Sequence, residues 1–263
     1  MLSPLFRPLN HPIHSWSDKN VWIVGASSGI GASLARSLLS AGAKVTLSAR
    51  REAELREVAG NHPNASVVPF DCADVQAWPA AMEKTLAAMG HIDLVILGAA
   101  RYDPTHSWSL NVEHVEKSFE LNVVSVYRGL VSLVPYFIQR KQGGIALIAS
   151  ISAYTGLPRA LIYGATKAAL NNMTETLYFE LAPKGLDIYL INPGFVETPM
   201  TSGNEFEMPG LMSPSDAAAC IKRGFEKGQF EIRFPRGFSG MLRLLSRFPY
   251  RLRFWLLHKG TGM

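Results

Sequence analysis

The chain has 263 residues, a net charge of +5 and only two cysteines, Cys72 and Cys220. That length can bury a sizeable core, and the cysteines show no metal-type or disulfide-framework spacing, which fits a reducing, cytoplasmic setting. Seven scattered histidines have no ligand-type spacing either, so no metal is expected.

Residues 1–18 contain Pro4, Pro8 and Pro12 and no unbroken apolar stretch. They are expected to form an irregular arm and not a secretory leader. Strands are predicted at 21–24, 44–48, 66–70, 92–97, 144–149, 187–191 and 230–234. Helices are predicted near 29–41, 51–60, 74–89, 111–140, 160–182 and 213–228, the last opened by Ser213-Pro214-Ser215-Asp216. No Pro/Ser-rich linker divides the alternation, so 1–263 is read as a single α/β domain. Apolar strands imply burial on both faces, hence a parallel sheet covered by helices. Right-handed crossovers make that sheet doubly wound, with ligands beyond the carboxyl ends of its strands. No run of eighteen apolar residues is present, and a spanning helix is not expected.

Three patterns carry chemistry. Val21–Val24 runs into Gly25-Ala26-Ser27-Ser28-Gly29-Ile30-Gly31 and then a helical pattern. Such a strand, glycine turn and helix N-terminus bring backbone amides to a phosphate-bearing ligand. Arg50 and Arg51 follow the second strand, where a guanidinium would bind a 2′-phosphate and an acid would repel it. Arg50 is the expected phosphate ligand, with Ser27 adding a hydroxyl and Arg51 either covering the adenine or adding charge. Tyr163 and Lys167 lie one helical turn apart on one face, and Ser150 ends the fifth strand. A phenol with a pKa of about 10 needs a nearby ammonium to work near neutral pH, so Lys167 is expected to lower that of Tyr163.

Gly-x-x-x-Gly-x-Gly and Tyr-x-x-x-Lys in this order resemble the short-chain dehydrogenase/reductase family, over roughly residues 18–200. The resemblance implies a Rossmann-type fold of about seven strands and an NADP(H)-dependent oxidoreductase interconverting a carbonyl and a secondary alcohol. It assigns Asn122, Ser150, Tyr163 and Lys167 to catalysis, with Asn122 holding a relay water next to Lys167. It places Gly25, Ser27, Ser28, Gly29, Ile30, Gly31, Arg50, Asp71, Ala99, Tyr163, Lys167, Pro193, Gly194, Val196 and Thr198 against the cofactor. Arg50 favours NADP(H), with NAD(H) use possible. A non-catalytic NADP(H)-binding sensor is the alternative.

Two departures stand out. The family's Asn-Asn-Ala-Gly is here Leu97-Gly98-Ala99-Ala100, and Val24 replaces a common threonine. Substrate contacts are expected from 101–104, 154–158 and 195–212, including Phe195, Met200, Met208, Leu211 and Met212. These favour a hydrophobic ketone over a sugar. The family's homodimers and homotetramers use the helices bearing Asn122 and Tyr163. Val123, Val126 and Leu130 on one, and Leu170, Met173 and Leu177 on the other, offer apolar stripes for that, as any core-facing helix would.

Residues 235–263 form a basic amphipathic tail, with Met241, Leu244, Leu245 and Phe248 on one predicted face and a break at Pro249. After Glu231 there is no acid, against Arg233, Arg236, Arg243, Arg247, Arg251, Arg253 and Lys259. Packing on the body as a lid or oligomer contact is preferred to peripheral contact with an anionic membrane. No motif accompanies the charge that would read nucleic acid.

Overall fold

The computed structural model describes residues 7–204 and 207–261. Seven parallel strands form one sheet in the order β3-β2-β1-β4-β5-β6-β7. They are β1 (Asn20–Val24), β2 (Lys44–Ser48), β3 (Ala65–Val67), β4 (Leu94–Leu97), β5 (Gly144–Ile148), β6 (Asp187–Pro193) and β7 (Glu231–Phe234). The helices are α1 (Gly29–Ser40), α2 (Glu52–Ala59), α3 (Ala77–Met89), α4 (Val112–Phe119), α5 (Ser125–Arg140), α6 (Leu161–Leu181), α7 (Pro214–Glu226), α8 (Arg236–Leu245) and α9 (Tyr250–Thr261). The order reverses between β1 and β4, which is where a doubly wound sheet opens its ligand crevice.

Strand periodicity divides the core in two. Val21 and Ile23 of β1 face one layer, packed with Leu34, Leu38, Ile221 and Phe225 of α1 and α7. Trp22 and Val24 face the other, packed with Trp78, Leu133, Phe137 and Leu170 of α3, α5 and α6. Trp22 keeps its indole N–H satisfied by donating to Ser48 Oγ at 2.9 Å. β3 is shorter than expected because Pro69 has no amide to donate. The amides on either side of it still bond across, Val68 to Leu47 O and Phe70 to Ala49 O, at 3.0 and 3.1 Å.

The arm is irregular but anchored over its described part, from residue 7. Asn10 exchanges two hydrogen bonds with the backbone of Ile188, at 2.8 and 2.9 Å. Trp16 is buried against Phe225 and donates to Glu226 at 3.2 Å. Residues 1–6, with Pro4, and Glu205 and Phe206 of the predicted substrate segment lie outside the described residues.

Three expectations are corrected. The predicted helix 111–140 is interrupted by a π turn at Glu120–Val124, which carries Asn122. Its span Val112–Arg140 has the length and mean hydropathy, 1.4, of a membrane segment. Its apolar side chains Leu130, Leu133 and Phe137 are instead spent on the sheet. Val123, Val126, Leu130, Leu170 and Met173 are buried in that same core and Leu177 packs against it, so none forms an outward stripe. Among the described residues, the exposed large apolar positions on these helices are Val112, Tyr127, Val131, Ile138, Leu161 and Phe179. On α8 the buried positions are Ser239 and Leu242, while Met241 and Leu244 of the predicted face point to solvent. Apolar residues on more than one side of α5 and α6 leave open which side meets the body, whereas α8 is turned by the burial of Ser239 and the pairing of Arg243 with Glu231.

Candidate active site

At the carboxyl ends of β1, β4, β5 and β6 lies a cleft of about 310 Å³. Its wall includes Gly25, Ser27, Ser28, Gly29, Ile30, Gly31, Arg50, Asp71, Ala99, Ser150, Tyr163, Lys167, Pro193, Gly194, Val196 and Thr198. Of the residues expected at the cofactor or in catalysis, only Asn122 is not on it. Asn122 sits immediately behind, through Leu121, which does line the cleft.

The glycine turn is built for close approach. Gly29 has φ +57°, and a Cβ there would lie 2.9 Å from Thr198 Cγ2. A Cβ on Gly31 would lie 2.1 Å from Gly25 O, so α1 can start this close to the turn only without a side chain. Ser28 is the N-cap of α1, yet its side chain caps no amide. Gly29, Ile30 and Gly31 therefore bring an uncapped helix N-terminus to the cleft wall, which suits a pyrophosphate. Asp71 accepts from Ala73 N at 2.9 Å, a local turn that fixes its carboxylate beside the cleft. The residues fit a dinucleotide.

Arg50 and Arg51 both line the cleft, but they differ in contacts. Arg51 donates to Ser27 Oγ at 3.0 Å and Ser28 Oγ at 3.2 Å, and pairs with Glu54 at 3.3 Å. The hydroxyl that sequence reading paired with Arg50 is thus held by its neighbour. Glu54 is three residues from Arg51 and four from Arg50, so helical spacing alone does not choose between the two arginines.

Ser150 follows β5 and is fixed from both sides. Its N–H donates to Asn192 Oδ1 at 3.1 Å, and its Oγ accepts from Ser152 N at 3.2 Å. Asn192 in turn donates to Glu231 at 3.1 Å. Glu231 also accepts from Tyr154 and pairs with Arg243 of α8, so β7 and α8 brace the serine. Tyr154 is thereby taken up in structure. The rest of the expected stretch, Thr155–Pro158, lines a separate groove with His106 and Trp108.

Tyr163 and Lys167 project from α6 toward β5. Lys167 Nζ donates to Ile148 O at 2.8 Å and lies 5.5 Å from the centre of the Tyr163 ring. Tyr102, in the stretch expected to contact substrate, packs edge-on against Tyr163 at 5.0 Å. Asn122 is fully buried, accepting from Arg101 N at 2.7 Å and donating to Arg101 O and Thr166 Oγ1 at 2.9 and 3.1 Å. Both its amide protons are committed, tying the segment after β4 to the helix of Tyr163 and Lys167.

The electrostatics depart from the sequence expectation. Burial pushes the Tyr163 phenol up to about 12; a hydrogen bond from Ser150 pulls it back in part, and Tyr102 raises it. Burial also pushes Lys167 down, to about 7. Desolvation penalises the charged form of each, and here it outweighs their mutual attraction. One consequence is measurable. Between pH 7 and 10.5 the unfolded chain holds a proton that folded Lys167 gives up, so stability rises with pH in that window. The slope attributable to one such group is at most about 1.4 kcal/mol per pH unit. Denaturant unfolding at several pH values up to about 9.5 should show this gain in the wild type and not in Lys167→Met. Tyr163, with its opposite sign, acts only above about pH 10. Parallel stability curves for the two proteins would contradict the assignment.

Comparison with known proteins agrees with this geometry. The model of the short chain dehydrogenase family matches residues 19–208. The chain is similar to an uncharacterised oxidoreductase of Staphylococcus epidermidis, 34% identical over 72% of this chain and 83% of the relative. A second, from Myxococcus xanthus, is 30% identical over 89% and 94% of the two chains. Among solved structures it is similar to a 3-ketoacyl-(acyl-carrier-protein) reductase from Brucella melitensis complexed with NADH. That match has a TM-score of 0.78 and 27% identity, over 84% of this chain and 99% of the other. An actinorhodin polyketide ketoreductase with NADPH gives 0.75 and 25%, over 86% and 99%. With the family model covering most of the chain and its motifs gathered in one cleft, the chain belongs to the short-chain dehydrogenase family of nicotinamide-dependent oxidoreductases.

Proposed function

We propose that the protein is an NADP(H)-dependent oxidoreductase that interconverts a hydrophobic ketone and its secondary alcohol, with Tyr163 as general acid and base. The observation that carries this reading is the convergence of Ser150, Tyr163 and Lys167 on the cleft that also holds the glycine turn. The dinucleotide supplies hydride to the carbonyl carbon in reduction and accepts it in oxidation.

The chain's own residues manage the oxygen. The Ser150 hydroxyl, braced by Asn192 and Ser152, bonds to the carbonyl oxygen and orients it. Tyr163 donates its phenolic proton to that oxygen as negative charge develops, and takes it back in the reverse direction. Lys167, titrating near neutral pH, stabilises the phenolate and returns the proton. Each group acts on charge that appears only as the reaction proceeds, which is where stabilisation lowers a barrier. Asn122 is a positioning residue, locking the turn after β4 to α6.

Two arginines on the cleft wall, and no acid among Ala49, Arg50 and Arg51 directly after β2, support NADP(H). Arg50→Asp is expected to raise the NADP(H) Kd at least ~10-fold, the cost of a lost charge-assisted phosphate pair. NAD(H) affinity should hold or improve. Wild-type preference for NAD(H) in a titration would overturn this cofactor choice.

Tyr102 packs on the Tyr163 ring and Met200 lines the same cleft, apolar character that supports a hydrophobic substrate. A panel of ketones and aldehydes with NADPH, followed by absorbance, tests the activity itself. Binding without turnover across the panel would favour a sensor. Exposed Tyr127, Val131 and Phe179 are positions that a homodimer or homotetramer would cover, and light scattering reads that assembly.

A further inference from the structure

Beyond β7 the two C-terminal helices are held very differently. α8 is fastened to the body: Ser239 and Leu242 are buried, Phe238 stacks on Phe195, and Arg243 pairs with Glu231. In α9 none of the described side chains is buried. Phe254 is 52% exposed and Trp255 53%, and Tyr250, Leu252, Met241 and Leu244 are open as well. So much large apolar surface in one segment marks a contact site.

Charge identifies what it contacts. The segment after Glu231 carries seven basic residues and no acid, whereas the rest of the chain is close to neutral. Several cations lie along the aromatic rings, with Lys259 Nζ 4.3 Å from the Trp255 ring and Arg253 4.3 Å from that of Tyr250. Aromatic bodies flanked by cationic tips suit the headgroup level of a bilayer. An isologous interface with a second copy would set this positive patch against itself, which costs energy instead of gaining it. At 12 residues α9 is about 18 Å long, too short to cross a hydrocarbon core of about 30 Å. Its place is on the surface.

We infer that α8 and α9 form an interfacial surface that seats the protein on an anionic lipid bilayer. The aromatics of α9 enter the headgroup layer, and Arg247 and Arg251 meet lipid phosphates.

The test uses the full chain sedimented with vesicles of phosphatidylcholine alone or mixed with equal parts phosphatidylglycerol, at low and high salt. Binding is expected to the anionic vesicles at low salt, at least ~10-fold weaker to neutral ones, and lost at high salt. Arg247→Gln with Arg251→Gln should lower partitioning about 25-fold, at roughly five-fold per charge. Phe254→Ala with Trp255→Ala keeps the charge and should also weaken binding. Unchanged melting and dinucleotide affinity in both variants would show that folding is intact. Absence of binding to anionic vesicles at low salt overturns the inference, as does equal binding to neutral ones or full binding by either variant. A change of mass in light scattering with vesicle binding intact would assign the surface to a second copy and also overturn it.

Discussion

Tyr163→Phe is expected to lower kcat by about 10³-fold, the scale of a lost general acid and base. The ring stays, so its edge-on packing against Tyr102 and its place on α6 are retained, and only the oxygen is removed. Dinucleotide affinity should therefore change little, since the glycine turn and Arg51 lie at the other end of the cleft. The effect should fall on kcat and kcat/KM alike, the signature of an interaction made only as the reaction proceeds. Single-turnover measurements with a substrate found in the ketone panel provide the readout. Activity within a few-fold of wild type would remove Tyr163 from the mechanism and transfer the proton to another donor.

Gly31→Ala should be the most disruptive single methyl in the protein. Its Cβ would stand 2.1 Å from Gly25 O, and the obstacle is backbone, not a side chain that can swing aside. Either the turn opens or α1 retreats from β1, and both disturb the layer formed by Leu34 and Leu38. A loss of ~3 kcal/mol or more is expected, the upper range for overpacking a close contact, together with loss of dinucleotide binding. Gly237→Ala in α8 is the control. A Cβ there meets nothing within 4 Å, and alanine in a helix should gain up to about 1 kcal/mol. Equal melting temperatures for the two variants would contradict the close-contact account.

Much of this architecture was readable before any coordinates. β1 is apolar on both faces, so Val21 to Val24 already implied layers above and below, and those layers are what Leu34 and Trp78 fill. The grouping of Ser150, Tyr163 and Lys167 on one cleft was readable because it depends on local spacing, four residues on α6 and the end of one strand. Facts that depend on distant partners were not. Nothing in Arg50-Arg51 shows that the second arginine meets Ser27 and Ser28, because that contact spans 24 residues of chain. The π turn around Asn122 has no periodicity of its own, and the upward shift of Tyr163, against the expected lowering, follows from burial, as does the downward shift of Lys167, which only the packed helix reveals. The orientation of α5 and α6 escaped for a similar reason. Both helices carry apolar residues on more than one side, and the choice of buried side is made by the sheet.

Leu97 and Gly98 show how a departure from the family pattern is absorbed. Leu97 lies in β4 between Val24 and Leu147 and is buried in the apolar layer, so its site has closed around hydrocarbon. At Gly98 a Cβ would come within 2.7 Å of Ile148 Cδ1. The space that the family gives to a second asparagine is occupied here by that isoleucine. Positions 98 and 148 are therefore sterically coupled. An asparagine introduced at 98 into the present background must displace Ile148, whereas one introduced after position 148 had been trimmed would meet open space. The order in which two such changes are made would decide whether each is tolerated.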